Sequence, residues 1–288
     1  MHHSARDLLR TIAVVTSLAL AGCAEQPGAP EADDAGPFAD LPREAYRHQL
    51  PDGRITAGTG YRIGDHLLID GDVLIPAEPT RPEATAAIAN SLWPNKRIYY
   101  QFEPAVPQHV RDQVVAATGP WTQAGFRFYP RTTQANYVTI TGAYFPGYEW
   151  VCAASLGFQP PVMYFAGSSC TTHDYVHEWG HILGLHHEHA RNDRDQYVIV
   201  DGTVEQVFGA SAWHATGYDF DSVMHYDAFG RNNDGSLNYD HVKIRARDGR
   251  SLYSYGWTTT ASASDLNALF WAYWVEPPCG PGTGHVCQ

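Results

Sequence analysis

The stretch His177-Glu178-Trp179-Gly180-His181-Ile182-Leu183-Gly184-Leu185-His186-His187 constrains this chain more than any other. Residues four apart on a helix share a face, so a helix here points His177 and His181 the same way. Val176, Trp179, Ile182 and Leu183 fall mostly on the opposite side and predict a buried stripe. Thr171, with Asp174 three residues on, is a capping pair that starts such a helix near Thr172. Gly184 can adopt the left-handed conformation that ends it and turns the chain back, which lets His187 reach the point the other two face. Three neutral imidazoles suit zinc and leave the ion open positions, as in catalytic rather than structural sites. Glu178, beside the first histidine, would face a water at the ion instead of binding the ion. Its carboxylate would take that water's proton during attack on a peptide carbonyl and pass it to the leaving amine. HExxH alone is a common pattern; HExxHxxGxxH followed by a later methionine is far more specific.

The rest of the chain supplies room for a scaffold. Its 288 residues allow one large domain or two small ones. Arg97–Phe102, Phe126–Tyr129 and Tyr137–Ile140 read as strands, and the spacing of Val110, Val114, Ala117 and Trp121 predicts a helix over 106–124. A last helix is expected around Ser264–Trp274, with its Trp271–Trp274 aromatic cluster in the core. Strands first and helices around a cleft make an α+β domain. Upstream, residues 24–40 are rich in Ala, Pro, Asp and Glu and read as a solvated tether. Residues 41–81 contain one strand-like run, HLLIDGDVLIP, before Pro76, Pro79 and Pro82 mark a boundary.

Ser222-Val223-Met224-His225-Tyr226 lies downstream of the histidines, and here the pattern resembles the metzincins and, within them, the astacin family of zinc endopeptidases. The resemblance rests on His187-Glu188-His189-Ala190-Arg191 with Arg194-Asp195, on Tyr218-Asp219 leading into SVMHY, on Leu92-Trp93 and on FRFYPRT. It covers about Ala84 to Trp274. It implies a mixed β-sheet with an edge strand over the cleft, an active-site helix and a C-terminal helix. It further implies that His177, His181 and His187 bind one catalytic zinc and that Met224 lies beneath them. Tyr226 would be a switchable extra ligand that stabilises the oxyanion, and Glu188 would contact the mature N-terminus. His186, His189 and His225 are off register and read as supporting groups. Precursors of the family carry an F-x-G-D element whose aspartate binds the zinc; Ile69-Asp70-Gly71-Asp72 occupies that place with Ile for Phe, making Asp72 the candidate zymogen ligand, and Gly64-Asp65 is a weaker rival because Arg62 stands where an apolar residue is expected. The domains implied are an inhibitory pro-segment over 41–83, a catalytic domain over 84–277 starting near Ala84 after cleavage, and a tail over 278–288. Of the family's two usual disulfides, Cys152–Cys170 is retained. The other has lost both partners, Gly125 standing at one end. Cys279 and Cys287 lie close together in a Gly/Pro-rich tail and suggest a local loop, although four cysteines allow three pairings.

The fifth cysteine has a separate explanation. Arg6 and Arg10 precede an apolar run from Thr11 to Leu20, which makes residues 1–22 an export signal too short for a comfortable membrane span. Leu20-Ala21-Gly22-Cys23 resembles a bacterial lipobox. Residues 23–40 would then tether an exported, lipid-anchored protein, with Ala24 favouring the outer membrane. A net charge of −12 argues against nucleic acid as a partner. The expected partners are protein or peptide substrates and an activating protease. An extended substrate should pair along Cys152–Phe158; Phe158 stands where a basic pocket residue is frequent, with Arg231 and Arg245 as candidate substitutes. Competing readings are a catalytically silent binding scaffold, a metal-scavenging surface protein, and a zinc hydrolase acting on cell-wall peptide. Glu178 and the Met-turn disfavour the first two.

Overall fold

The computed structural model describes residues 38, 40–49, 55–69, 71–77, 92–142, 150–158, 160–191, 193–201, 217–232 and 234–274. The expected leader, Cys23, the start at Ala84 and the Cys279/Cys287 pair lie outside them.

Alternating side chains build the sheet. In strand β5 (Arg97–Phe102) Ile98 and Tyr100 turn inward, and β6 (Arg127–Pro130) and β7 (Val138–Thr141) flank it, both parallel. Strand β9 (Val162–Ala166) pairs parallel with β7 and antiparallel with β8 (Cys152–Ser155). The sheet does not stop at β8. Upstream residues add β1 (Arg43–Gln49), β2 (Ile55–Ile63), β3 (His66–Ile69) and β4 (Val73–Pro76) as an antiparallel meander, and β4 docks parallel on β8. The order across all nine strands is β1-β2-β3-β4-β8-β9-β7-β5-β6. Thus the strand expected at an open edge carries β4, from the upstream residues, as a neighbour. The run HLLIDGDVLIP resolves into two strands around a tight turn, with Gly71 at φ +88°. Phe38, assigned from composition to the solvated tether, is instead buried against Tyr61 and Trp150, so packed structure already includes it.

Two helices cover one face. The helix read over 106–124 is shorter: α1 (Gln108–Ala116) ends and a separate 3-10 turn follows at Pro120–Ala124. Pro120 has no N–H to continue the ladder, which accounts for the break. Helix α2 (Thr172–Ile182) starts at Thr171 with the reciprocal cap the sequence indicates: the Asp174 carboxylate accepts from the Thr171 N–H, and the Thr171 hydroxyl accepts from the Asp174 N–H. The Cys152–Cys170 disulfide ties β8 to the residue before that cap. Trp179 is the hub of the core, ringed by Tyr100, Phe128 and Tyr164, and its indole N–H donates to Val114 O. Helix α3 (Ala263–Trp274) closes the domain: Leu269 is fully buried and Tyr273 packs on Phe126. Trp271, expected in the core, is instead 47% exposed, because α3 lies on the surface and turns only one face inward. Short pairs β10 (Val198–Val200) with β13 (Ile244–Ala246) and β11 (Phe229–Arg231) with β12 (Leu237–Val242) hold the loop-rich region.

Gly180 marks where α2 meets the loop below it. A Cβ there would fall on Met224 Sδ and lie 3.2 Å from Trp121. Helix propensity favours Gly180→Ala by about 1 kcal/mol. Overpacking a closed core costs about 1–3 kcal/mol and should dominate, since Met224 is 1% exposed. Thermal unfolding of Gly180→Ala is therefore expected to begin several degrees lower; an unchanged or raised midpoint would show that Met224 can move aside.

Candidate metal centre

Helix α2 carries His177 and His181 one turn apart, on the face turned away from the sheet. Gly184, at φ +103°, reverses the chain and returns His187 to them. The three Nε2 atoms lie 3.0, 3.0 and 3.2 Å apart. The contact between His177 and His181 is not a hydrogen bond. His177 Nδ1–H donates to Val223 O at 2.7 Å and His181 Nδ1–H to Leu185 O at 2.8 Å, an assignment made from these partners, which leaves Nε2 lone pairs pointing inward. Burial holds His181 down to about 4, against a second proton. Into this cluster the β3–β4 turn inserts Asp72, whose carboxylate lies 3.0 Å from His187 Nε2, 3.3 Å from His177 Nε2 and 3.6 Å from His181 Nε2. Ligand atoms from all four residues lie within 4.8 Å of one another. Asp72 Oδ1 is buried with no hydrogen-bond partner among the described residues. Three imidazole nitrogens and a carboxylate buried this close together are what a cation between them would satisfy. The donor chemistry, three imidazoles and one carboxylate, fits zinc.

Glu178 occupies the same floor. It is 2% exposed and its Oε2 has no hydrogen-bond partner among the described residues. Burial, then the nearby carboxylates of Asp72 and Asp174, push its pKa well above the ordinary glutamate range. Tyr226 stands at the other wall, its ring stacked on His189 at 4.4 Å and 4.5 Å from that of His187. Its hydroxyl faces the β3–β4 turn: a Cβ on Gly71 would come within 3.1 Å of it.

Below the histidines the SVMHY turn is fixed by groups the motif does not include. Asp265, in the first turn of α3, accepts from Ser222 Oγ at 2.6 Å and from Val223 N at 3.0 Å. Val223 O then holds His177. Met224 O accepts from Glu188 N, so the turn also positions the segment after His187. His225 Nδ1 donates to Tyr226 O and its Nε2 accepts from the Tyr218 hydroxyl, while His189 Nδ1 accepts from Tyr226 N. The off-register histidines His189 and His225 therefore hold the tyrosine's backbone; His186 is part-exposed. Glu188 accepts from Arg191 at 3.0 Å and from Asp219 N at 2.8 Å, with burial as the first cause lifting its pKa to about 7. The end of α2 is capped by Trp93, whose indole donates to Ile182 O, and by the Tyr273 hydroxyl, which donates to Leu183 O. Leu92-Trp93 was legible only through resemblance. Asp265 had no signal beyond lying in a helical stretch, and Tyr273 was marked only as part of the Trp271–Trp274 cluster expected in the core. Arg231 pairs at 3.5 Å with Asp227, next to Tyr226, whereas Arg245 faces Ile199 across the β10–β13 pair. Phe158 packs on Trp93.

A family model for Astacin, a peptidase family, matches residues 85–273. Among curated proteins, Astacin-like metalloprotease toxin 1 of Loxosceles intermedia is 28% identical over 178 residues, covering 58% of this chain and 66% of that protein. Zinc metalloproteinase nas-7 of Caenorhabditis elegans is 28% identical over 193 residues, covering 59% of this chain and 48% of that protein. The chain thus spans about half to two thirds of the length of these relatives. Among solved structures, the hatching-enzyme zinc protease high choriolytic enzyme 1 of Oryzias latipes (medaka fish) superposes with a TM-score of 0.52 at 20% identity, covering 64% of this chain and 96% of that one.

Proposed function

Because the chain belongs to the astacin family of peptidases, we propose that it is a zinc metalloendopeptidase made as a latent precursor and exported. The observation that carries this reading is the convergence of three Nε2 atoms, those of His177 and His181 with lone pairs turned inward, on one buried carboxylate. His177, His181 and His187 would hold the ion, and Val223 O and Leu185 O fix the rings of the first two. Zinc, when bound, supplies Lewis acidity that polarises a carbonyl and lowers the pKa of water. Glu178 takes the proton of the attacking water and returns it to the leaving amine; its buried position keeps that proton from bulk solvent. Tyr226, aimed across the same space, donates its O–H to the oxygen on which negative charge develops. Asp72 holds the centre closed in the precursor. Glu188, engaged here by Arg191 and Asp219, would receive the new N-terminus after a partner protease cuts near Ala84. A lipid on Cys23 would keep the catalytic domain, residues 84–277, at a membrane. Cys279 and Cys287 would close a loop in the tail.

The processed chain, once separated from the pro-segment, should hydrolyse casein and quenched fluorescent peptides with zinc present, stop when zinc is chelated and recover when it is restored. One tightly held zinc without cleavage of any polypeptide would favour the binding-scaffold or cell-wall-peptide readings instead.

A further inference from the structure

The contacts that hold the pro-segment are independent of the bond whose cleavage would release it. Strand β4 continues the catalytic sheet on β8, with Val73 opposite Ala154 and Leu74 opposite Ser155, and Ala154 N donates to Asp72 O at 2.9 Å. Every residue of β3 is buried, and so are Val73, Leu74 and Ile75 of β4. That pattern requires cover on both faces, and the catalytic domain contributes to each. On one face Tyr46, Leu67, Ile69, Val73 and Ile75 enclose Leu156. On the other, Phe38, Ile63, Leu68 and Leu74 close over Val151, Ala153 and Phe165. His66 Nε2 adds a hydrogen bond to Pro161 O at 3.4 Å. All these groups lie on either side of residues 78–91, so a cut within that stretch breaks none of them.

From this we infer that the cleaved pro-segment remains bound as a non-covalent inhibitor, a folded strand-adding partner of β8, and that activity needs a second event that removes it. The inference rests on the proposed peptidase and its latch. Cutting the link only converts an intramolecular contact into a bimolecular one, after which release is governed by the off-rate of an interface with apolar packing on both faces. The same contacts fit an order of events: Arg43, Ala45 and Arg47 of the outer strand β1 are exposed, and a second protease would begin there.

The test uses the full chain with a recognition sequence for a site-specific protease placed within residues 78–91. After complete cutting, the two pieces should co-elute on size exclusion, with hydrolysis of a quenched peptide still roughly tenfold or more below its final level, rising with a lag as the segment leaves. Further digestion of the segment should shorten the lag. The cut Asp72→Ala chain should co-elute as well, because the strands rather than the carboxylate hold the piece. Separation with full activity directly after the cut would overturn the inference and leave the Asp72 latch standing, as would loss of co-elution in Asp72→Ala alone. An uncut chain already as active as the final product would instead remove the latch reading itself. No hydrolysis even after the segment has been fully removed, with zinc bound, would point to failure of the peptidase reading.

Discussion

Replacing Glu178 with glutamine is expected to lower peptide hydrolysis by the released enzyme about 10²–10⁴-fold, the range for loss of a positioned general base, while one zinc stays bound. Gln retains the shape of Glu but cannot accept the proton of the attacking water. Zinc should stay because the Nε2 cluster is formed by His177, His181 and His187, held from Val223 O and Leu185 O rather than by Glu178. Stability should move the other way. Burial raises the folded-state pKa of Glu178 above its unfolded value, so the fold favours the protonated form. The stability this contributes is complete below the unfolded pKa and is lost as pH rises through the folded one. At neutral pH a neutral amide escapes that loss, and the metal-free Glu178→Gln chain should melt no lower than the parent. Activity lost together with a lowered melting point would mean that Glu178 supports the fold instead of the chemistry; activity retained would end its assignment as the base.

How much of this was legible follows the range of the interactions. The histidine ladder is local: helical spacing, a reciprocal cap at Thr171 and a positive-φ glycine at Gly184 specify it within one short segment, and α2 forms over nearly the expected residues. Met224 and Tyr226 were readable by resemblance, although nothing in SVMHY reveals that Asp265 holds the turn from 42 residues away. The β1–β4 meander was the least legible part. Strands β1 and β2 have little apolar alternation; β1 takes shape on β2 and β2 on β3, whose cover includes distant residues such as Leu156 and Phe165. A chain whose apolar run HLLI needs cover on both faces does not announce which distant segment supplies it. Pro120, by contrast, was visible, and the helical periodicity read through it masked a break that the residue itself dictates.

The second large effect is expected at Asp72, and it should divide between the ion and the strand. In the uncut chain the Asp72 carboxylate occupies the position that a water or an inhibitor's metal-binding group would take, within 3.0–3.6 Å of the three Nε2 atoms. Asp72→Ala removes one buried anion and leaves three imidazoles, which is the ligand count of an open site. A small hydroxamate should then bind the zinc-loaded uncut chain at least about tenfold more tightly, equivalent to about 1.4 kcal/mol, and a chelator should strip the zinc faster. Peptide hydrolysis should rise far less, because Val73 and Leu74 still cover the edge of β8 along which an extended substrate must pair. Hydroxamate titration and peptide hydrolysis on the same uncut protein separate the two blocks. If the hydroxamate binds no better to Asp72→Ala, the carboxylate is not the latch. If full peptidase activity appears without cutting, the carboxylate is the whole of the latch and the strands contribute nothing to latency.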